Sequence, residues 1–194
     1  LDPEGREVAL KCMDYPTTAL VRRFQTEIIT LERIENRNIV RHIDHGEWEG
    51  RPYLVMELLQ GEPQDQPIKR DGAFELDRAL MLGLHLARGL ARAHDFGVIH
   101  RDVKPENVFV CSSDDGTSVA KLMDFGIALA PGDRRLTAAG QFLGSPKYTA
   151  PERFRAREEI TPASDLYALG VVLFEMVAGR LPFASESMAG WVLH

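Results

Sequence analysis

Between His100 and Asn107 the chain reads His-Arg-Asp-Val-Lys-Pro-Glu-Asn, which brings a carboxylate, an ammonium and a side-chain amide into one short stretch. Folded as a tight loop, Asp102 can accept a proton and Lys104 can neutralise a phosphate. Asn107 can ligate a divalent cation through its oxygen. Further on, Asp124-Phe125-Gly126 places a second hard-cation carboxylate at the end of an apolar segment, with a flexible glycine behind it. Ala150-Pro151-Glu152 closes a long stretch of little periodicity. Taken singly, each is a turn bearing a charge. Their order and spacing together point to phosphate and metal chemistry.

The elements that must position these residues follow from pattern. Glu7 to Met13 is a strand-length mix of branched and aliphatic residues. Leu20, Phe24, Glu27, Ile28, Leu31 and Ile34 recur at helical spacing after the capping-type Thr17-Thr18. Strands are expected around Arg41 to Trp48 and Tyr53 to Leu58, joined by Glu49-Gly50-Arg51-Pro52. Gln60 to Gly72, with two glycines and two prolines, reads as a connector with broken helix at most. A long helix follows, its buried stripe expected at Leu76, Leu80, Leu84, Ala87, Leu90 and His94, with Gly97 as the stop. Short apolar segments at Asn107 to Val110 and Val119 to Met123 flank a loop. Ala163 to Ala178 is apolar nearly all round and is expected to be a buried helix. His85 and His94 border the helix stripe and read as core or edge histidines.

Composition excludes several classes. The 194 residues are 44% apolar and 27% charged, which fits one globular domain or a large piece of one. A net charge of -6 offers no basic field for nucleic acid. The longest apolar run, Leu166 to Phe174, is far short of the about 20 residues a membrane span needs. Two cysteines, Cys12 and Cys111, disfavour a disulfide scaffold or a cysteine-rich zinc site. A cytoplasmic, soluble domain is the expectation.

These motifs resemble the eukaryotic-type serine/threonine protein kinase family in its bacterial form, over essentially the whole chain. The resemblance implies an α+β, two-lobed fold. Residues 1–60 would be a partial N-lobe with third strand, regulatory helix and hinge. Residues 61–194 would be a partial, mostly helical C-lobe. Val8-Ala9-Leu10-Lys11 resembles the third-strand motif, so Lys11 would meet the α- and β-phosphates of ATP, held by Glu27. Val55-Met56-Glu57-Leu58-Leu59 resembles the hinge segment, with Met56 guarding the inner pocket and the backbone of Glu57 and Leu59 reading adenine. Asp102 and Lys104 would be catalytic, and Asn107 and Asp124 would hold Mg2+. His100 would stack on Phe125, beside Arg101. Asp165, in Asp165-Leu166-Tyr167-Ala168-Leu169-Gly170, would accept hydrogen bonds from the catalytic-loop backbone. Lys104, and Gly144-Ser145-Pro146-Lys147-Tyr148-Thr149-Ala150-Pro151-Glu152 with Ser145 where threonine is usual, imply Ser/Thr protein substrates. Thr137, after Arg134-Arg135, is the candidate phosphosite, its phosphate pairing with Arg101.

The family's Gly-rich loop has no counterpart before Lys11, and its last helices, with the usual partner of Glu152, none after Phe183. The chain is therefore expected to be a fragment, weak or inactive alone, with an anchor conceivable elsewhere in the full-length protein. Two rival readings stand beside it. One is a non-catalytic kinase-like binding module, against which the full phosphate and metal set argues. The other is a small-molecule phosphotransferase of related fold, which Lys104-Pro105-Glu106 and Ala150-Pro151-Glu152 disfavour.

Overall fold

Strands β1 (Val8–Cys12), β2 (His42–Trp48) and β3 (Arg51–Glu57) form an antiparallel sheet in the order β1-β3-β2. The computed structural model describes residues 1, 4–13, 21, 28, 32–112, 117–125, 146–154 and 160–183. The β2–β3 hairpin closes through Glu49 and Gly50, both at positive φ (49° and 74°). That two-residue turn matches the twist of the flanking strands. Along β3, Pro52, Leu54 and Met56 are buried while Tyr53, Val55 and Glu57 are less so, the period-2 alternation of a one-sided sheet. Leu54 and Met56 join Ile28 and Val40 in a small apolar cluster. β1 is the more open flank, with Leu10 62% exposed.

A second antiparallel sheet, β4 (Gly61–Pro63), β5 (Val108–Ser112) and β6 (Ser118–Leu122), has β5 in the middle. Around it stand helices α1 (Asp65–Asp71), α2 (Leu76–Asp95) and α3 (Pro162–Ala178). Gly61 lies at φ 146°, and a Cβ there would fall 2.1 Å from the Val110 carbonyl oxygen, so this strand crossing requires glycine. The larger core gathers Leu82, Leu86 and Leu90 of α2 with Val172 and Met176 of α3 and Val108 and Leu122 of the second sheet. Small antiparallel sheets with helices match the α+β expectation.

The segment Asn38 to Val40 fastens the first sheet to the second. Val40 N–H donates to the Leu122 carbonyl at 2.8 Å, Leu122 N–H donates to the Asn38 carbonyl at 2.8 Å, and the Asn38 side-chain amide reaches the Ala120 carbonyl at 3.0 Å. Gly89 of α2 makes room for it. A Cβ there would stand 2.8 Å from the Asn38 carbonyl oxygen.

Three expectations need correction. Residues 60–72 hold a strand and a two-turn helix, because Pro67 falls in the first turn of α1, where its missing N–H costs nothing. The buried face of α2 is Ala79, Leu82, Gly83, Leu86, Gly89, Leu90 and Ala93. Leu76 and Leu80 are each 56% exposed and Leu84 49%. The helix carries two apolar stripes, and the one rich in glycine and alanine wins because it admits the closest neighbours. Finally, α3 is buried on one side only, leaving Leu166, Phe174 and Val177 exposed.

Candidate active site

His100 to Asn107 connects α2 to β5, and its shape is dictated by one buried carboxylate. Asp165, 1% exposed in the first turn of α3, accepts from His100 N–H (2.8 Å, Oδ2), from Arg101 N–H (2.8 Å, Oδ1) and from His94 Nε2 of α2 (2.8 Å). A carboxylate without partners could not be buried there, and three charge-assisted donors compensate its desolvation. They also hold Arg101 at φ 68°, a left-handed conformation that strains a residue with a Cβ. Arg153 Nη1 donates to the Arg101 carbonyl, fastening the loop from a second side.

His100 is fully buried, and burial keeps its imidazole below its ordinary pKa. Its Nε2 faces the Met123 carbonyl at 3.1 Å, which makes Nε2 the protonated nitrogen and leaves Nδ1 to accept the Asp102 N–H at 3.3 Å. The ring lies 4.4 Å from that of Phe125, tilted by 37°. One histidine thus links the loop to the segment carrying Asp124.

Within the loop, Lys104 Nζ stands 2.7 Å from Asp102 Oδ2. The Asn107 amide nitrogen donates to the Asp102 carbonyl oxygen (2.8 Å) and to its Oδ2 (3.0 Å). That commits the amide nitrogen and turns the Asn107 side-chain oxygen away as an acceptor. Met123 N–H donates to the Asn107 carbonyl at 3.0 Å, which sets Asp124 beside Asn107. Asp124 has φ 54°, a second strained residue at the site. Its Oδ1 meets Lys11 Nζ of β1 at 2.5 Å.

Of the residues expected at the hinge, Met56 is buried, Leu59 half-buried, and Glu57 N–H is taken by the Arg41 carbonyl at 3.0 Å. Glu152 accepts from Ser164 Oγ at 2.7 Å. Tyr148 donates to Glu175 Oε2 at 2.7 Å, and burial, then that bond, pushes its phenol up. Glu27, Leu31, Thr137 and Ser145 lie outside the described residues.

Sequence reasoning set His94 at the border of the helix stripe but missed its bond to Asp165, 71 positions away. It also missed His42, half-buried beside Lys11 and Asp124, its imidazole pushed down by burial to about 4. Neither had a local signal. A histidine on an apolar strand or helix face looks the same whether it is bonded or bare.

As a chemical set, Asn107 and Asp124 offer two oxygen donors suited to a hard cation. Among the described residues no cluster of three or more His, Cys, Asp or Glu could hold a metal unaided. Two protein ligands are what a magnesium ion takes when phosphates and water complete its shell. No helix of the described residues is long and apolar enough to cross a membrane.

Comparison with known proteins gives one answer. The family model described as "Protein kinase domain" matches residues 2–191. The serine/threonine-protein kinase PknA of Mycobacterium tuberculosis is 38% identical over 190 residues, covering 94% of this chain and 43% of that relative. The probable serine/threonine-protein kinase PknB of Lactococcus lactis is 38% identical over 167 residues, 86% of this chain and 26% of the relative. The serine/threonine-protein kinase pkn2 of Myxococcus xanthus is 40% identical over 185 residues, 92% and 22% respectively. The chain therefore spans less than half the length of each of these curated relatives.

Proposed function

This chain belongs to the protein kinase family, and on that premise we propose that it transfers the γ-phosphoryl group of ATP to serine or threonine hydroxyls of protein substrates. The observation that carries the reading is the hydrogen-bonded group Asp102–Lys104–Asn107, joined through Met123 to Asp124 and from there to Lys11. Acidic, basic and oxygen-donor groups thus converge from separate parts of the chain.

In this reading Asp102 orients the acceptor hydroxyl and takes its proton. Lys104, already held against Asp102, offers its charge to the phosphoryl oxygens. The Asn107 side-chain oxygen and Asp124 would hold Mg2+, which when bound supplies a positive clamp on the phosphate oxygens. Lys11 and Asp124 neutralise one another at 2.5 Å, and both are open enough (51% and 32% exposed) to exchange partners. On nucleotide entry Lys11 turns to the α- and β-phosphates, with Glu27 as the carboxylate that steadies it. Met56 lines the inner wall, and the backbone at Glu57 and Leu59 reads the adenine edge. Residues 1–60 and 61–194 act as the two lobes closing on ATP. Lys104 two positions after Asp102, and the serine/threonine relatives, favour protein hydroxyls over small alcohols. ATP as donor places the domain's work in the cytoplasm.

Phosphorylation of Thr137 would add charge that Arg101 can pair with. Arg101 and Arg153 line one cleft with Asp102 and Thr149. Ser145 would offer its hydroxyl to Asp102 and Lys104.

The test is to incubate the full-length protein with labelled ATP and Mg2+, a protein substrate and a panel of small alcohols. Label on protein serine or threonine, lost on chelation and restored by Mg2+, supports the reading. Transfer to small alcohols only, or nucleotide binding without transfer, replaces it.

A further inference from the structure

The Glu57 carboxylate joins parts of the fold that the polypeptide brings together only in space. Its Oε1 accepts the Arg41 N–H at 2.7 Å, at the entry to β2, and Lys121 Nζ of β6 at 2.5 Å. The same Glu57 N–H donates to the Arg41 carbonyl. Glu57 belongs to the first sheet, with Arg41 just before it at the entry to β2, and Lys121 to the second, so one oxygen ties both. The pair is partly shielded, with side chains 22% and 18% exposed. A charge-assisted bond in that setting is weakened less by water and salt than a surface pair. It also lies next to the backbone link of Asn38 and Val40 to Leu122, the neighbour of Lys121. Leu122 in turn is two residues from Asp124.

We propose that Glu57 and Lys121 form a latch that sets the angle between the two sheets, and thereby the placement of the hinge backbone relative to Asp124. Glu57 has a double duty: its backbone faces the adenine site of the proposed function, and its side chain fixes where that backbone sits. Both residues are positioning residues. This inference rests on reading the cleft as a nucleotide site. Breaking the ion pair leaves the Asn38–Leu122 link in place, so the sheets stay attached but lose a defined angle, and grip on ATP suffers before folding does.

The experiment is a double-mutant cycle in the full-length protein, with Glu57→Gln, Lys121→Met and the double variant, plus the charge-keeping Lys121→Arg. ATP affinity is measured by titration, kcat on a protein substrate, and folding by thermal unfolding. Each single variant is expected to weaken ATP binding about five- to tenfold, and Lys121→Met, which lies outside the adenine contacts, to keep kcat at saturating ATP largely intact. The double variant should be no worse than either single one, and Lys121→Arg should restore most of the affinity. Unchanged or tighter ATP binding in the single variants overturns the latch, as does simple additivity. So does loss confined to unfolding temperature. If the wild-type protein fails to bind ATP, the functional reading falls and takes the latch with it. If the wild type binds and the variants bind equally, only the latch falls.

Discussion

Asp102 stands in a loop tied down from α3 and the segment after β6, whereas Lys11 stands on a flank strand with half its side chain in solvent. Around the loop, Asp165 satisfies two backbone amides and one histidine, and His100 bridges to Met123. Around Lys11, an exposed ion pair ties the side chain to Asp124, and the half-buried His42 sits close by. The acceptor side of the site is thus pre-formed, and strain at Arg101 and Asp124 is sustained by the bonds about it. The Lys11 side, which the proposed function assigns to the nucleotide, is held loosely enough to exchange partners. In the proposed function, that puts preorganisation where charge would move in the reaction and freedom where a ligand would enter.

The largest effect should come from the pre-formed side. Asp102→Asn is expected to lower phosphoryl transfer by about 10²- to 10⁴-fold with nucleotide affinity nearly unchanged. Asp124→Ala should instead weaken Mg2+–ATP binding. Identical behaviour of the two variants in a nucleotide titration would break the contrast between the regions.

Asp165→Ala takes the acceptor from one buried and two part-buried donors and should cost about 3 kcal/mol in denaturant unfolding, with transfer falling in parallel. A well-folded, fully active variant would mean the loop holds its shape without that carboxylate.

His42 sharpens the comparison through pH. Its pKa in the fold, lowered by burial to about 4 against an ordinary 6.5, means the unfolded chain binds the proton first as pH falls. Nearby Glu32 and Asp124 oppose that shift and Lys11 assists it. The contribution is complete above about pH 6.5 and is lost towards pH 4, at most about 3 kcal/mol. His42→Gln should flatten unfolding free energy over that window. An unaltered slope would place the acid sensitivity elsewhere.

The smallest stability effect belongs to Lys11. Because its ion pair is exposed, Lys11→Met should shift unfolding by no more than about 1 kcal/mol while nucleotide binding drops sharply. A large loss of stability would show that the Lys11–Asp124 pair is structural after all.

Much of this arrangement was legible from the amino-acid order. His100 to Asn107, Asp124-Phe125 and Asp165 are short motifs whose members lie in one stretch, so their chemistry is written locally. The strands at Val8–Cys12 and Arg51–Glu57 and the two long helices were visible for the same reason, since period and turn residues are local properties. The α2 face was misread because periodicity counts side-chain apolarity and cannot weigh the close approach that Gly83 and Gly89 allow. α1 was missed because a proline was taken for a breaker when it sat in a first turn.

By itself the sequence determined which groups are present, their local spacing, and hence the family and the chemistry such groups can do. Only the tertiary structure decided which distant groups meet: Asp165 with His94, Lys11 with Asp124, and Glu57 with Lys121. The physical reason is that charge pairing depends on distance in space. Residues 71, 113 and 64 positions apart acquire a distance only when helices and sheets have packed.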